Sequence, residues 1–469
     1  MKKKLGFKIV LSLTLVAATL SPTFAKPLVG SSCQSLGAGL TIKQTTYLCT
    51  KVGSKLLWQQ FATYPAGTEF NADEFIAGIA APNRGCGNNT DEASLLNIRM
   101  SCKNGIWTII GIKQNVAKSP SSAGPLKTTD PLKILGNSIA VKSREQFLTE
   151  LANASKSSPN IIFKVDPKLD PKLLKLIRND TILSAQFWAD LRPLDKSMIV
   201  YAAPTDDFQF FIDQMKPTLT EQGLEGGWLD FKFQTAQKEP GFYGGGAPAF
   251  DKDGNPVFMM YAPNNMNPGN GMFLKTTSHE YVHVVQRYLD SGNMGLLFNW
   301  EKEGQADFIG ASFAGRQNVK AFAALWGQLI LFLGEQSTIK DILNWNSDQF
   351  IQWFKDREIT GDPAAKGGGD VAIENYIVGA MAEQWLYGTY GYKKVNQLVI
   401  NLNDALSACG NGDIARNTGC PEARNKAFFD AFGINLSDFY PKVAPFIVSE
   451  IAWAKKNQYL YPTDLTLIK

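Results

Sequence analysis

Lys275-Thr276-Thr277-Ser278-His279-Glu280-Tyr281-Val282-His283 contains the only two histidines of the 469-residue chain, four apart, with a glutamate directly after the first. Side chains at i and i+4 of a helix share one face. Read as a helix, the segment therefore places two imidazoles where they can grip one metal ion. Two histidines do not complete a catalytic site, which needs three protein ligands and an open position. With no third histidine, the third ligand must be a carboxylate or a thiolate. The best candidate stretch is Trp300-Glu301-Lys302-Glu303-Gly304-Gln305-Ala306-Asp307-Phe308, one loop further on and also expected to be helical. Glu303 and Asp307 are again at i and i+4. One can bind a metal while the other accepts a hydrogen bond from a ligand imidazole and fixes its tautomer. Glu301 is the next carboxylate to consider.

The thiolates have another use. Lys2, Lys3, Lys4 and Lys8, the apolar run Ile9 to Leu20 and Ser21-Pro-Thr-Phe-Ala25 read as a secretory signal peptide, with cleavage expected after Ala25. The run is short for a spanning helix, so no membrane span is expected in the mature chain. In an exported chain the six cysteines (Cys33, Cys49, Cys86, Cys102, Cys409, Cys420) read as three disulfides. Neighbour pairing is the simplest of the 15 connectivities that six cysteines allow, and no C-x-x-C pair suggests a metal knuckle. Removing the four signal lysines from the 47 basic residues leaves 43, against 43 acidic ones. That balance argues against a nucleic-acid or other polyanion partner.

Residues 26–112 read as small disulfide-bonded β modules. Cys33 and Cys86 are 53 residues apart, as are Cys49 and Cys102, and a tryptophan follows each second cysteine (Trp58, Trp107). This spacing suggests a diverged duplication. Asn104-Gly105 between two apolar runs is a hairpin signal. The modules suit attachment to a cell-wall or surface component, or a spacer. Residues 113–130 are a Pro/Ser/Gly/Lys linker, and 131–469 form the large domain. Its first half carries strand-like runs at Ile161-Ile-Phe-Lys-Val, Ser197-Met-Ile-Val-Tyr-Ala-Ala and Pro256-Val-Phe-Met-Met-Tyr-Ala, and its second half is helical, which gives an α+β class with a mixed sheet. Asp251-Lys-Asp-Gly-Asn lacks the glutamate of a calcium loop and reads as a hairpin turn. Ala321 to Gly334 reads as a buried helix rather than a span.

His279-Glu280-Tyr-Val-His283 followed about twenty residues later by Glu303-Gly-Gln-Ala-Asp307 resembles the signature of the gluzincins, the thermolysin-like and M1-aminopeptidase-like zinc peptidases. The resemblance spans about residues 190 to 395 and implies a zincin-like catalytic domain. It implies one Zn2+ per chain held by His279, His283 and Glu303, Glu280 as general base, and Asp307 as hydrogen-bond partner of a ligand. A metzincin would need a histidine at Leu289. Glu374-Asn-Tyr376-Ile-Val-Gly379 resembles the Y-x-x-G helix of the M1 type, which implies Tyr376 as oxyanion donor. Where M1 aminopeptidases carry a glutamate for the substrate amino terminus, this chain has Tyr243-Gly-Gly-Gly-Ala-Pro-Ala-Phe250, with no acid. Aminopeptidase specificity is therefore not implied, though the segment can still supply an edge strand for an extended peptide. The reading is a secreted zinc peptidase acting on a peptide or protein substrate. Its competitors are a catalytically silent peptidase-like binding protein at the cell surface and a zinc hydrolase of a non-peptide substrate.

Overall fold

Backbone contacts divide the chain into two compact units, residues 1–122 and 123–469. The computed structural model describes residues 29, 31–32, 39–42, 45–52, 55–63, 92–95, 98–103, 106–112, 128–219, 245–289, 297–360, 372–407, 421–458, 460, 464–465 and 468. In the first unit, β1 (Gly39–Ile42), β2 (Thr45–Val52) and β3 (Lys55–Thr63) form one antiparallel meander, and β4 (Glu92–Leu95), β5 (Ile98–Lys103) and β6 (Ile106–Ile112) form another. The registers repeat: Cys49 lies opposite Trp58 and Cys102 opposite Trp107. Each ladder also shifts register just before its cysteine, between Thr46 and Tyr47 in one and Arg99 and Met100 in the other. Lys103 pairs with Ile106, the register that a two-residue Asn104-Gly105 loop calls for. The signal segment, most of the linker and Cys33, Cys86, Cys409 and Cys420, and with them the expected disulfides, lie outside the described residues.

The second unit starts with helices whose beginnings are written in the sequence. Asp130 caps α1 (Pro131–Leu135), Asn137 caps α2 (Ser138–Asn153) and Asp170 caps α3 (Pro171–Phe187), each by accepting a backbone N–H. In α1 and α3 a proline follows the cap, where its missing N–H costs nothing. The sheet has the order β7 (Ile161–Val165), β8 (Met198–Pro204), β10 (Pro256–Ala262), β9 (Gly245–Phe250). β7, β8 and β10 are mutually parallel, because α3 and α4 (Gln209–Gln214) intervene in the chain, and β9 is antiparallel to β10 at the edge. The sheet is thus mixed as expected, but its core is built by parallel crossovers rather than by hairpins. Asp251 makes the hairpin turn between β9 and β10, its carboxylate accepting from the backbone of Asp253 and Asn255.

β8 and β10 are apolar throughout because both their faces are covered. Met198, Val200, Ala202, Phe258 and Met260 enter the large helical core, while Tyr201, Ala203, Val257, Met259 and Tyr261 meet Phe208, Phe211 and Met215 on the other side. The helical half comprises α5 (Gly271–Leu289), α6 (Asn299–Ala314), α7 (Val319–Gln336), α8 (Ser347–Thr360), α9 (Ile373–Tyr390), α10 (Tyr392–Ser407), α11 (Pro421–Phe432) and α12 (Leu436–Asn457). Ala321 to Gly334 lies within α7, and among the described residues no helix is long and apolar enough to cross a membrane. α6 and α9 touch backbone to backbone: a Cβ on Gly304 would lie 2.3 Å from the Gly379 carbonyl carbon, and one on Gly379 would lie 2.2 Å from the Trp300 oxygen.

Behind this core, Glu450 of α12 is buried and accepts a 2.9 Å hydrogen bond from Trp326 Nε1. Burial pushes its carboxyl up to about 8 from an ordinary 4.5, against the weaker pull of the indole bond. Between those values the folded chain holds a proton that the unfolded chain has released. The stabilising contribution is therefore complete below pH 4.5, falls as the pH rises to 8, and then stays low. The loss reaches roughly 4–5 kcal/mol. Glu450→Gln keeps an acceptor for Trp326 and carries no charge, so it should flatten this slope and raise the denaturation midpoint at pH 9 relative to wild type. Equal midpoints of the two proteins across pH 5–9 would show that Glu450 does not titrate in this way.

Candidate metal centre

α5 presents His279 and His283 on its buried face, with their rings nearly perpendicular at 86°. Their Nε2 atoms are 3.2 Å apart, and Glu303 Oε2 of α6 lies 3.2 Å from His283 Nε2 and 3.6 Å from His279 Nε2. Four ligands at about 2.0–2.1 Å around a tetrahedral ion stand about 3.3 Å from one another. The triangle therefore has the size that such an ion requires. His279, His283 and Glu303 are also the group that could hold a metal among the described residues.

Hydrogen bonds on the far side of each ring fix which nitrogen faces inward. His279 Nδ1 lies 2.6 Å from Asp307 Oδ1, a carboxylate that accepts, so this nitrogen bears the hydrogen. His283 Nδ1 lies 2.8 Å from Gln286 Oε1. The orientation of that amide is set in turn: Gln286 Nε2 is 3.1 Å from the Lys302 carbonyl, which can only accept, and 2.8 Å from Gln305 Oε1. Gln305 Nε2 then reaches Tyr387 OH and Asn396 Oδ1 at 3.1 and 3.0 Å. In the neutral rings both Nε2 atoms are thereby left as acceptors, pointing with a carboxylate oxygen at one buried spot. Three electron-rich atoms this close repel unless a proton or a metal ion lies among them, so the donor set fits a cation.

The electrostatics agree. Burial works against charge on the His279 imidazole, but Asp307 and Glu303 outweigh it and hold its pKa up at about 9. Burial likewise opposes ionisation of Glu303, yet His283 and Lys302 keep its carboxyl well below the usual range. Asp307 is also depressed against its burial, chiefly by Lys275, whose ammonium is ion-paired with the same Oδ1 that His279 uses. The pocket favours positive charge, whether proton or metal.

Glu280 is buried beside the triangle and outside it, pressed against the edge strand. A Cβ on Gly246 of β9 would stand 2.4 Å from Glu280 Cγ, so the Glu280 side chain fits here only against a glycine. Of the Gly-rich segment, Gly245–Phe250 forms β9, the last strand of the sheet among the described residues. Tyr376 of α9 stacks on His279, with ring centroids 5.8 Å apart and 12° between planes. Glu301 turns away: its carboxylate accepts from the Phe298 backbone at 2.8 Å and faces Arg424 at 3.8 Å, which removes it as a ligand.

Lys275, Gln286, Gln305, Tyr387 and Asn396 were not singled out from the sequence. Lys275 and Gln286 had a signal, because they continue the face of His279 and His283 by one turn in each direction. Gln286→Leu removes the acceptor for His283 Nδ1 and should weaken metal binding by roughly 10–100-fold. Chelator competition on the two proteins checks this, and unchanged affinity would mean that the amide does not hold the ring. Comparison with protein-family models, with curated proteins and with solved structures gives no match.

Proposed function

We propose that this chain is an exported zinc-dependent peptidase of gluzincin type, with His279, His283 and Glu303 as ligands and Glu280 as general base. The observation that carries the reading is the buried triangle of two Nε2 atoms and one carboxylate oxygen, with both tautomers set by outer hydrogen bonds. Zinc suits two imidazoles and a carboxylate, and when bound it would polarise a carbonyl and bring the pKa of water near neutrality.

The protein's own groups do the rest. Glu280 follows His279 directly in sequence, so it stands beside the ligand set without joining it. It takes the proton of the attacking water and passes it to the departing amine nitrogen. Asp307 and Gln286 keep the two imidazoles in register while charge develops. Tyr376, stacked on His279, donates to the oxyanion, a contact of roughly 3 kcal/mol by comparison with other oxyanion donors. Gly246 keeps room for the Glu280 carboxyl under the edge strand.

The test is metal content and cleavage of a mixed peptide library by one purified sample of the mature chain. One zinc per chain with defined cleavage is the expected result. Zinc without cleavage of any peptide would remove the peptidase assignment, and no zinc would remove the metal centre with it.

A further inference from the structure

We infer that Lys275 is a positioning residue that lowers the metal affinity of the centre, by taking up the same Asp307 oxygen that supports His279. The inference rests on the zinc-peptidase reading above. Asp307 Oδ1 accepts from His279 Nδ1 at 2.6 Å and is ion-paired with Lys275 Nζ. Lys275 is 9 % exposed and Asp307 2 % exposed, so the pair is shielded from water.

Burying an ammonium is costly, but beside buried Asp307 it compensates a carboxylate that would otherwise have only the His279 N–H. Lys275 therefore serves the fold, and its charge also acts on the ligand. A carboxylate behind a ligand imidazole raises the basicity of that ring and its donation to the metal. An ammonium on the same oxygen withdraws that charge, and its own charge repels a dication through a medium of low dielectric. Lys275 sits one turn before His279 on α5, and its ammonium is paired with Asp307. Lys302 on α6 pairs with Glu303 at 3.4 Å, and Tyr376 on α9 stacks on His279. With Lys275 in place, His279 donates less, and more of the ion's charge is left for the substrate carbonyl.

The experiment measures zinc affinity of the full mature chain, stripped of metal, by competition with a chromophoric chelator at pH 7. Lys275→Gln keeps a donor for Asp307 without the charge, Lys275→Met removes both, and Lys275→Arg keeps the charge. The two neutral variants should bind zinc tighter by about tenfold or more, and the arginine variant should stay within about threefold of wild type, given the usual 10–100-fold leverage of outer hydrogen-bond partners. The direction is diagnostic, because loosened packing weakens binding and only removal of the charge tightens it. Neutral variants that bind zinc equally or more weakly overturn the inference alone. So does a result in which neither neutral variant folds while the arginine variant does, since Lys275 would then serve the fold alone. A wild-type chain that binds no zinc overturns the inference together with the function it rests on.

Discussion

Glu280→Gln should hold one zinc per chain as wild type does and hydrolyse peptides about 10²–10⁴-fold more slowly, the usual weight of a positioned acid–base group. The amide fills the same space under Gly246, so neither the edge strand nor the ligand triangle has reason to move. What disappears is the ability to accept a proton from water and hand it to the leaving nitrogen. Metal analysis and turnover on the same sample make the result unambiguous. A glutamine variant with more than about a tenth of wild-type turnover lies far outside that range and would mean that another group is the base.

The second large effect concerns the third ligand. Glu303→Ala should lose zinc by more than the roughly 100-fold that removing an outer partner can cost, and lose turnover in proportion. Two imidazoles alone leave the ion without the charge of a carboxylate. Glu301→Gln is the matched control: its side chain serves Phe298 N and Arg424, so zinc content should be unchanged although the neighbouring charge is gone. Tight zinc in the Glu303 variant, or loss of zinc in the Glu301 variant, would redraw the ligand set.

The parts of the site that were legible in the sequence lie on one helix face or the next. His279 and His283, and then Glu303 and Asp307, are i and i+4 pairs, and helical periodicity alone brings each pair to one side. Of the two carboxylates considered, Glu303 lies with the histidines and Glu301 faces Phe298 and Arg424 instead. The amide chain from Gln286 through Gln305 to Tyr387 and Asn396 was not legible, because Tyr387 and Asn396 lie 82 and 91 positions beyond Gln305 and meet it only through packing of separate helices. In the sheet, the apolar runs of β7, β8 and β10 gave their positions to within a residue. β9 is glycine-rich and carries Pro248, a composition that only an edge strand tolerates. The parallel pairing followed from α3 crossing between β7 and β8, a matter of topology rather than local pattern.

The contact between Gly304 and Gly379 has a consequence for how the centre fills. Where two helices meet through side chains, a change in occupancy can be absorbed by rotamers. Here the spacing between the helix of Glu303 and the helix of Tyr376 is fixed by main-chain atoms, which have no such slack. The distance between the Glu303 helix and the Tyr376 helix is therefore set without any ion, and a Cβ on Gly310 of α6 would likewise stand 2.7 Å from the Lys275 main-chain oxygen of α5, which holds the two helices of the triangle close. Loading should be a capture event rather than a folding event, and amide hydrogen exchange at the Trp300–Gly304 and Tyr376–Gly379 crossing should be equally slow with the metal present or stripped away.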